Sequence, residues 1–363
     1  SELPASALAA WQGPGPAPAP GTDPRRWLLS HAILAPHSHN LQSWLVDLRT
    51  EGEIVLRCDR TRLLPATDPQ SRQIVMSQGT FLEVLDLAAR ERGYRPEIEP
   101  FPEGPFGPEQ VDDRPVARIR LVRDASVARD PLFAQVLQRR TNRSAYDPQR
   151  APDAAAWQAL ASALPAGLRF GFVDRSKADV LAAHRAIANE AWAIEMTTPA
   201  AILESYAVLR VGAREIAEHR DGISLTAALP VWMNRLGLFD RTKAPAPDDI
   251  AVRTQIQDFA RVIDSTPAFL WIVSEGNDRL TQLNAGRAWV RVQLAGTALG
   301  LAMHPLQQAL QEYPEQARPY ARIHALLQAP RPTHTVQMWA RVGFAPAVPP
   351  APRRGLDAHL VRA

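Results

Sequence analysis

The tightest constraint on the fold is a row of small residues at helical spacing. Ala285, Ala288, Val292, Ala295, Ala298, Leu299 and Ala302 share one face of a helix predicted over 284–303, and side chains this small permit close packing against a neighbour. Just upstream, 268–273 is a continuous apolar run suited to a central strand. Leu168, Phe170 and Phe172 alternate with small or polar residues, as do Val336, Met338, Ala340 and Val342, which predicts two more strands.

The same mixture occurs earlier in the chain. A helix is predicted from Asp23-Pro24 through Leu34, strands at 44–48 and 54–58, a helix at 78–92 and a strand around Ala117, Ile119 and Leu121. Short helices at 131–138 and 154–164 and a longer one at 178–196 follow. Strands and helices mixed in both halves predict an α+β sandwich rather than alternating Rossmann order. No GxGxxG or GxxxxGK[ST] occurs, which weakens dinucleotide-fold and P-loop readings. The proline-rich run 13–21 reads as a semi-rigid linker ahead of the fold.

Composition narrows the function classes. The 41 basic and 38 acidic side chains leave a net charge of +3, too balanced for a general nucleic-acid binder. No apolar run is long enough to cross a bilayer. The single cysteine, Cys58, excludes an internal disulfide framework and reads as a small buried hydrophobe.

Three segments carry chemistry. Residues 35–44, A-P-H-S-H-N-L-Q-S-W, lie where a helix gives way to a strand, and His37, Ser38, Asn40 and Gln42 offer polar groups to the edge of a planar heterocycle. Alone, the segment also reads as an Asx-type turn ahead of a core tryptophan. His37 and His39 form an H-x-H pair, but no carboxylate or cysteine motif completes a ligand set, so no metal is expected. The second segment, R-R-T-N-R at 139–143, offers Arg139, Thr141 and Arg143 to a phosphate dianion, or else is a solvated basic turn. In the third, prolines hold Arg353 and Arg354 on an extended tail.

Together with A-L-G-L-A at 298–302 and V-Q-M-W-A-R-V-G-F-A-P at 336–346, these motifs resemble, in order and spacing, the Acg-like branch of the nitroreductase superfamily over about residues 25–357. The likeness departs at Ser43, where the family often has proline, and at His37, where a small residue is usual. It implies two nitroreductase-like halves fused in one chain as a pseudo-dimer, at 25–130 and 131–363, after an N-terminal linker at 1–24. A lid-like insertion is implied near 205–243, with a helix at 209–219. One FMN would lie between the halves. By the same resemblance Arg139, Thr141 and Arg143 hold its phosphate and reach the pyrimidine edge, Arg353 or Arg354 adds a phosphate contact, and His37, Ser38, Asn40 and Gln42 form a collar. The implied activity is hydride or electron transfer through flavin N5 to a small molecule, with NAD(P)H or a redox partner as donor. Flavin sequestration with little turnover is the alternative. The likeness also suggests an exported, periplasmic protein, as a monomer or homodimer.

Overall fold

In the computed structural model, which describes residues 2–362, the chain builds the same motif twice. The first half contains α1 (Ala5–Leu8), α2 (Arg25–Ala32), β1 (Trp44–Asp47), β2 (Glu53–Cys58), α3 (Arg72–Glu91), β3 (Tyr94–Pro100) and β4 (Ala117–Arg123). The second opens with α4 (Ala154–Ala163) and β5 (Leu168–Asp174). There follow α5 (Ala178–Thr197), α6 (Pro199–Ala207), β6 (Leu209–Val211), α7 (Gly212–His219), β7 (Ile223–Leu225), α8 (Ala228–Arg235) and α9 (Ile250–Asp264). It closes with β8 (Ala268–Glu275), α10 (Arg279–Ala298), β9 (Ala302–Pro305), α11 (Ala317–Leu326) and β10 (His334–Gly343).

The sheets run β1-β2-β4-β3 and β5-β8-β10-β9, antiparallel throughout. In each, the strands and the helix between the second and third of them fall at the same places in the order. The fold is therefore α+β, with two related halves in one chain.

The small-residue face of α10 meets α3, and the two helices cross at matching glycines. Gly79 and Gly286 are each the eighth residue of a 20-residue helix. A Cβ on Gly79 would lie 2.0 Å from the Leu283 carbonyl oxygen, and one on Gly286 would lie 1.8 Å from that of Met76. Only glycine allows this approach. Arg287 fixes the register by donating to Glu83 at 3.0 Å and Asp86 at 2.8 Å. Even the opening residues correspond. Arg72 reaches the Leu310 carbonyl and Glu312 between β9 and β10, while Arg279 reaches the Gly107 carbonyl between β3 and β4.

Each half also extends an arm into the other. After β4 the chain crosses so that the Asn142 amide donates to Met303 O at 3.0 Å. After β10 it returns, and the Val361 amide donates to Val46 O at 2.9 Å beside a parallel bridge between Val46 and Leu360.

Several elements differ from the sequence expectations for local reasons. Helix α3 begins at Arg72 rather than 78, because Asp68 accepts from the amides of Gln73 and Ile74 and so caps a polar first turn. Helix α10 runs 279–298, not 284–303: Asp278 caps it through the Thr281 amide, and Gly300, at φ +71°, lets the chain turn into β9. The expected helix at 209–219 is the strand β6 followed by α7. Within the expected linker at 1–24, residues 5–12 are helical and Trp11 is buried. Cys58 is buried as expected, and burial pushes its thiol up to about 12.

Candidate functional site

The three segments singled out in the sequence meet at the end of α2, where the halves join. The collar leaves α2 through a tight turn in which His39, Asn40 and Gln42 all have positive φ, between 49° and 57°. Such backbone costs about 1–3 kcal/mol per residue unless its surroundings enforce it. Here they do. Asn40 donates to Pro352 O at 2.8 Å and accepts from Arg353 at 2.7 Å. Gln42, fully buried, donates to Arg220 O at 3.0 Å and accepts from the Arg354 amide at 3.0 Å. The insertion closes over the same turn, its Gly222 amide donating to Asn40 O at 3.1 Å. Buried Asp221 locks it there by pairing with Arg62 at 2.6 Å and Arg210 at 2.9 Å.

This arrangement divides the predicted residues into two groups. Arg353 directs Nε to Ile33 O, Nη2 to Leu34 O and Ala35 O, and Nη1 to Asn40 and Pro352 O, so all its donors are engaged. It is a strut that ties the tail to the negative end of α2. Of the two tail arginines, Arg354 keeps unengaged donor capacity: its Nη2 donates to Gln42 O at 2.8 Å, while its buried Nε has no partner among the described residues. Arg139 donates to Leu34 O at 2.8 Å and Gln293 at 3.2 Å, with donors left over.

The second group keeps polar atoms unused. Arg143 has no hydrogen bond or ion pair among the described residues and is exposed, yet the protein around it holds its pKa below the ordinary value by desolvation. Thr141 is half-buried beside it, its hydroxyl reached by Gln293 only at a long 3.5 Å. Ser38 anchors through its amide to Ser77 at 3.1 Å, leaving its hydroxyl without a partner among the described residues.

The collar histidines are neutral. His37 Nδ1–H donates to Ser38 O at 2.8 Å, so its Nε2 is a lone-pair acceptor, buried and without a partner among the described residues. Burial, then the backbone bond and the charges of Arg353 and Arg354, set its pKa at about 3. Burial likewise holds His39 at about 4, and its Nδ1 is also buried and unpartnered.

Two residues escaped the sequence reading. Fully buried Arg341 lays its guanidinium 3.7 Å from the centre of the Tyr146 ring and donates to Ser144 O at 2.7 Å and to His304 Nδ1 at 3.3 Å. His304 is thereby fixed with its proton on Nε2, and its pKa lies well below the usual value because of burial and the nearby Arg143 and Arg341. Arg341 sits within a quoted motif, but only its strand pairing with His304 shows where it points.

None of Arg139, Arg140, Arg143, Arg341, Arg353 and Arg354 pairs with a carboxylate among the described residues. Six guanidinium groups without acidic partners make this junction a place for an anion or an electron-rich ring edge. A surface recess of about 340 Å³ lies elsewhere, against Glu53, Glu97, Glu99, Arg118 and Arg120 of the first sheet. Its charges pair with one another, and it presents no comparable chemistry.

No family model matches the chain. A relative named "Putative NAD(P)H nitroreductase Rv3131", from Mycobacterium tuberculosis, is 28% identical over 96% of this chain and 95% of its own length. A second protein of that organism, named only as uncharacterized, is 29% identical over 33% of this chain and 36% of its own. Among solved structures, the FMN-dependent nitroreductase NfnB from Mycobacterium smegmatis in complex with NADPH aligns at 17% identity over 64% of this chain and 98% of that one, with a TM-score of 0.36. That superposition is loose, whereas the likeness in sequence to the M. tuberculosis protein runs end to end. Over nearly its whole length the chain is thus similar to a protein named as a nitroreductase, the superfamily that its motifs resemble.

Proposed function

We propose that the chain is an FMN-dependent oxidoreductase of nitroreductase type, in the Acg-like branch, acting on a small molecule through one site at the junction of its halves. The observation that carries this reading is the junction itself, where Arg143 and neighbouring arginines lack carboxylate partners and neutral histidines keep unused ring nitrogens. Its residues fit the group: guanidinium and hydroxyl donors suit a phosphate and a ring carbonyl edge, and the lone pair of His37 Nε2 suits an N–H donor.

When bound, FMN supplies the hydride- or electron-carrying centre, which accounts for a site without a nucleophile or an acid–base pair. Arg143 provides the fixed positive charge that favours the negative charge placed on the ring by reduction. Arg139, Thr141 and Arg354 hold the phosphate. Arg353, Asn40 and Gln42 position the collar, and the insertion locked by Asp221 covers the collar turn. NAD(P)H is the proposed donor, a reading supported by the name of the relative matched end to end.

The test is anaerobic mixing of the FMN-loaded protein with NADPH or NADH, followed by a nitroaromatic or a quinone. Bleaching of the flavin band and its return on adding the acceptor, over many cycles, is the expected result. Tightly held flavin that neither donor reduces would replace this reading with flavin sequestration.

A further inference from the structure

We infer that the N-terminal hook, residues 5–12, belongs to a phosphate-monoester subsite, and that Trp11 is the positioning residue that sets its arginines. The inference extends the FMN reading to a part of the chain that the motifs do not reach.

Trp11 is 8% exposed, and three guanidinium groups lie against its ring: Arg140 at 4.9 Å, Arg353 at 5.2 Å and Arg139 at 5.6 Å from its centre. The negative face of an indole attracts cations, most strongly where water is excluded. The hook is also tied to the tail that delivers Arg353, since Trp11 Nε1 donates to Ala351 O at 2.8 Å and the Arg353 amide donates to Ala7 O at 3.0 Å. The three arginines have no carboxylate partner among the described residues, and they are not equivalent. Arg353 has every donor engaged. Arg140 donates only through Nη1, to the carbonyls of Leu137 and Arg139, so its Nε and Nη2 are free; Arg139 also has donors to spare.

The free donors of Arg139 and Arg140, with the Thr141 hydroxyl beside them, suit a doubly charged terminal phosphate. Holding like charges together in a desolvated place is unfavourable, and burial with Arg353, Arg140 and Arg143 alongside drives the pKa of Arg139 well down. The indole and the α2 carbonyls offset part of that repulsion, and a dianion offsets more. Trp11 therefore acts on the phosphate through the arginines, without touching it.

FMN and riboflavin differ only in the phosphate, so their affinities for wild type and for Trp11→Leu separate the subsite from the rest of the pocket. Trp11→Leu should weaken FMN roughly tenfold or more and leave riboflavin unchanged, with Trp11→Phe recovering most of the loss. Equal weakening of both flavins, or of neither, would overturn the inference. If Trp11→Leu does not fold, Arg140→Gln, which leaves the hook in place, takes the same comparison with the same two outcomes. If wild type binds neither flavin, the FMN reading fails separately. Inorganic phosphate should then still raise the melting temperature of wild type but not of Trp11→Leu, and a wild type indifferent to phosphate would overturn the subsite as well.

Discussion

The two halves share a skeleton and differ in its connections. In the first, α2 reaches β1 through residues 33–43, long enough to form the collar; in the second, α4 reaches β5 through 164–167 alone. The segment before α4 contains Arg139, Arg140 and Arg143, whereas 13–24, before α2, has no cationic side chain. Each half thus provides what the other lacks, and only one junction has both a collar and an arginine turn. Their outer faces differ too. On the first sheet β4 alternates between buried and exposed residues, while β10 is buried along nearly its whole length beneath the added helices. The two halves repeat the skeleton but not the loops, and it is the loops that bring these segments together.

The largest effect should come where the halves are still alike. Gly79→Ala and Gly286→Ala each press a methyl group into the other helix's backbone and should destabilise the fold by about 3 kcal/mol or more, despite alanine's better helix propensity. Urea denaturation measures both, and a large effect at only one position would break the proposed equivalence. Next is the insertion, which only the second half carries. Asp221→Asn leaves Arg62 and Arg210 without a buried partner and should lower the cost of opening 205–225 by about 2–4 kcal/mol. Hydrogen exchange in that segment should rise while α3 and α10 stay protected.

Arg143 and Arg118 make a matched pair, one from each half. Arg143→Ala should weaken FMN about tenfold to a hundredfold and make the reduction potential more negative. Arg118, paired on an open sheet face with Glu53 at 4.0 Å and Glu99 at 3.6 Å, should change stability by less than about 0.5 kcal/mol and flavin binding not at all.

Acid acts through the two histidines beside Trp44. His37 and His359 flank Trp44 with ring centres 5.3 and 5.8 Å away, and burial, with Arg354 nearby, sets His359 at about 3 like His37. Folded pKa values below the ordinary 6.5 mean that stability is complete above about pH 6.5 and is lost as pH falls toward 3. His359→Gln should flatten part of that slope in melts between pH 7 and 4.

Amphipathic periodicity made the skeleton legible. β2, β5, β8, β10, α4 and α5 fall close to where alternation or a helical stripe places them, and A-P-H-S-H-N-L-Q-S-W and R-R-T-N-R marked segments that the fold brings together. What pattern could not show is how donors are divided among acceptors. Arg353 and Arg354 are neighbours with one composition, but only the carbonyls of Ile33, Leu34 and Ala35 turn the first into a strut. Trp11 was hidden by the proline run that follows it, since a linker composition says nothing of the residue docked at its start. The matched glycines were obscured by the polar first turn of α3, which moved its expected start to 78.

A chain of two related halves with one collar and one arginine turn should hold one flavin. Titration of the flavin-free chain with FMN, followed by visible absorbance and calorimetry, tests it most directly. The expected result is a single tight site, one FMN per chain, lost or greatly weakened in Arg143→Ala. Two equivalents per chain, or one that is unaffected by Arg143→Ala, would contradict it.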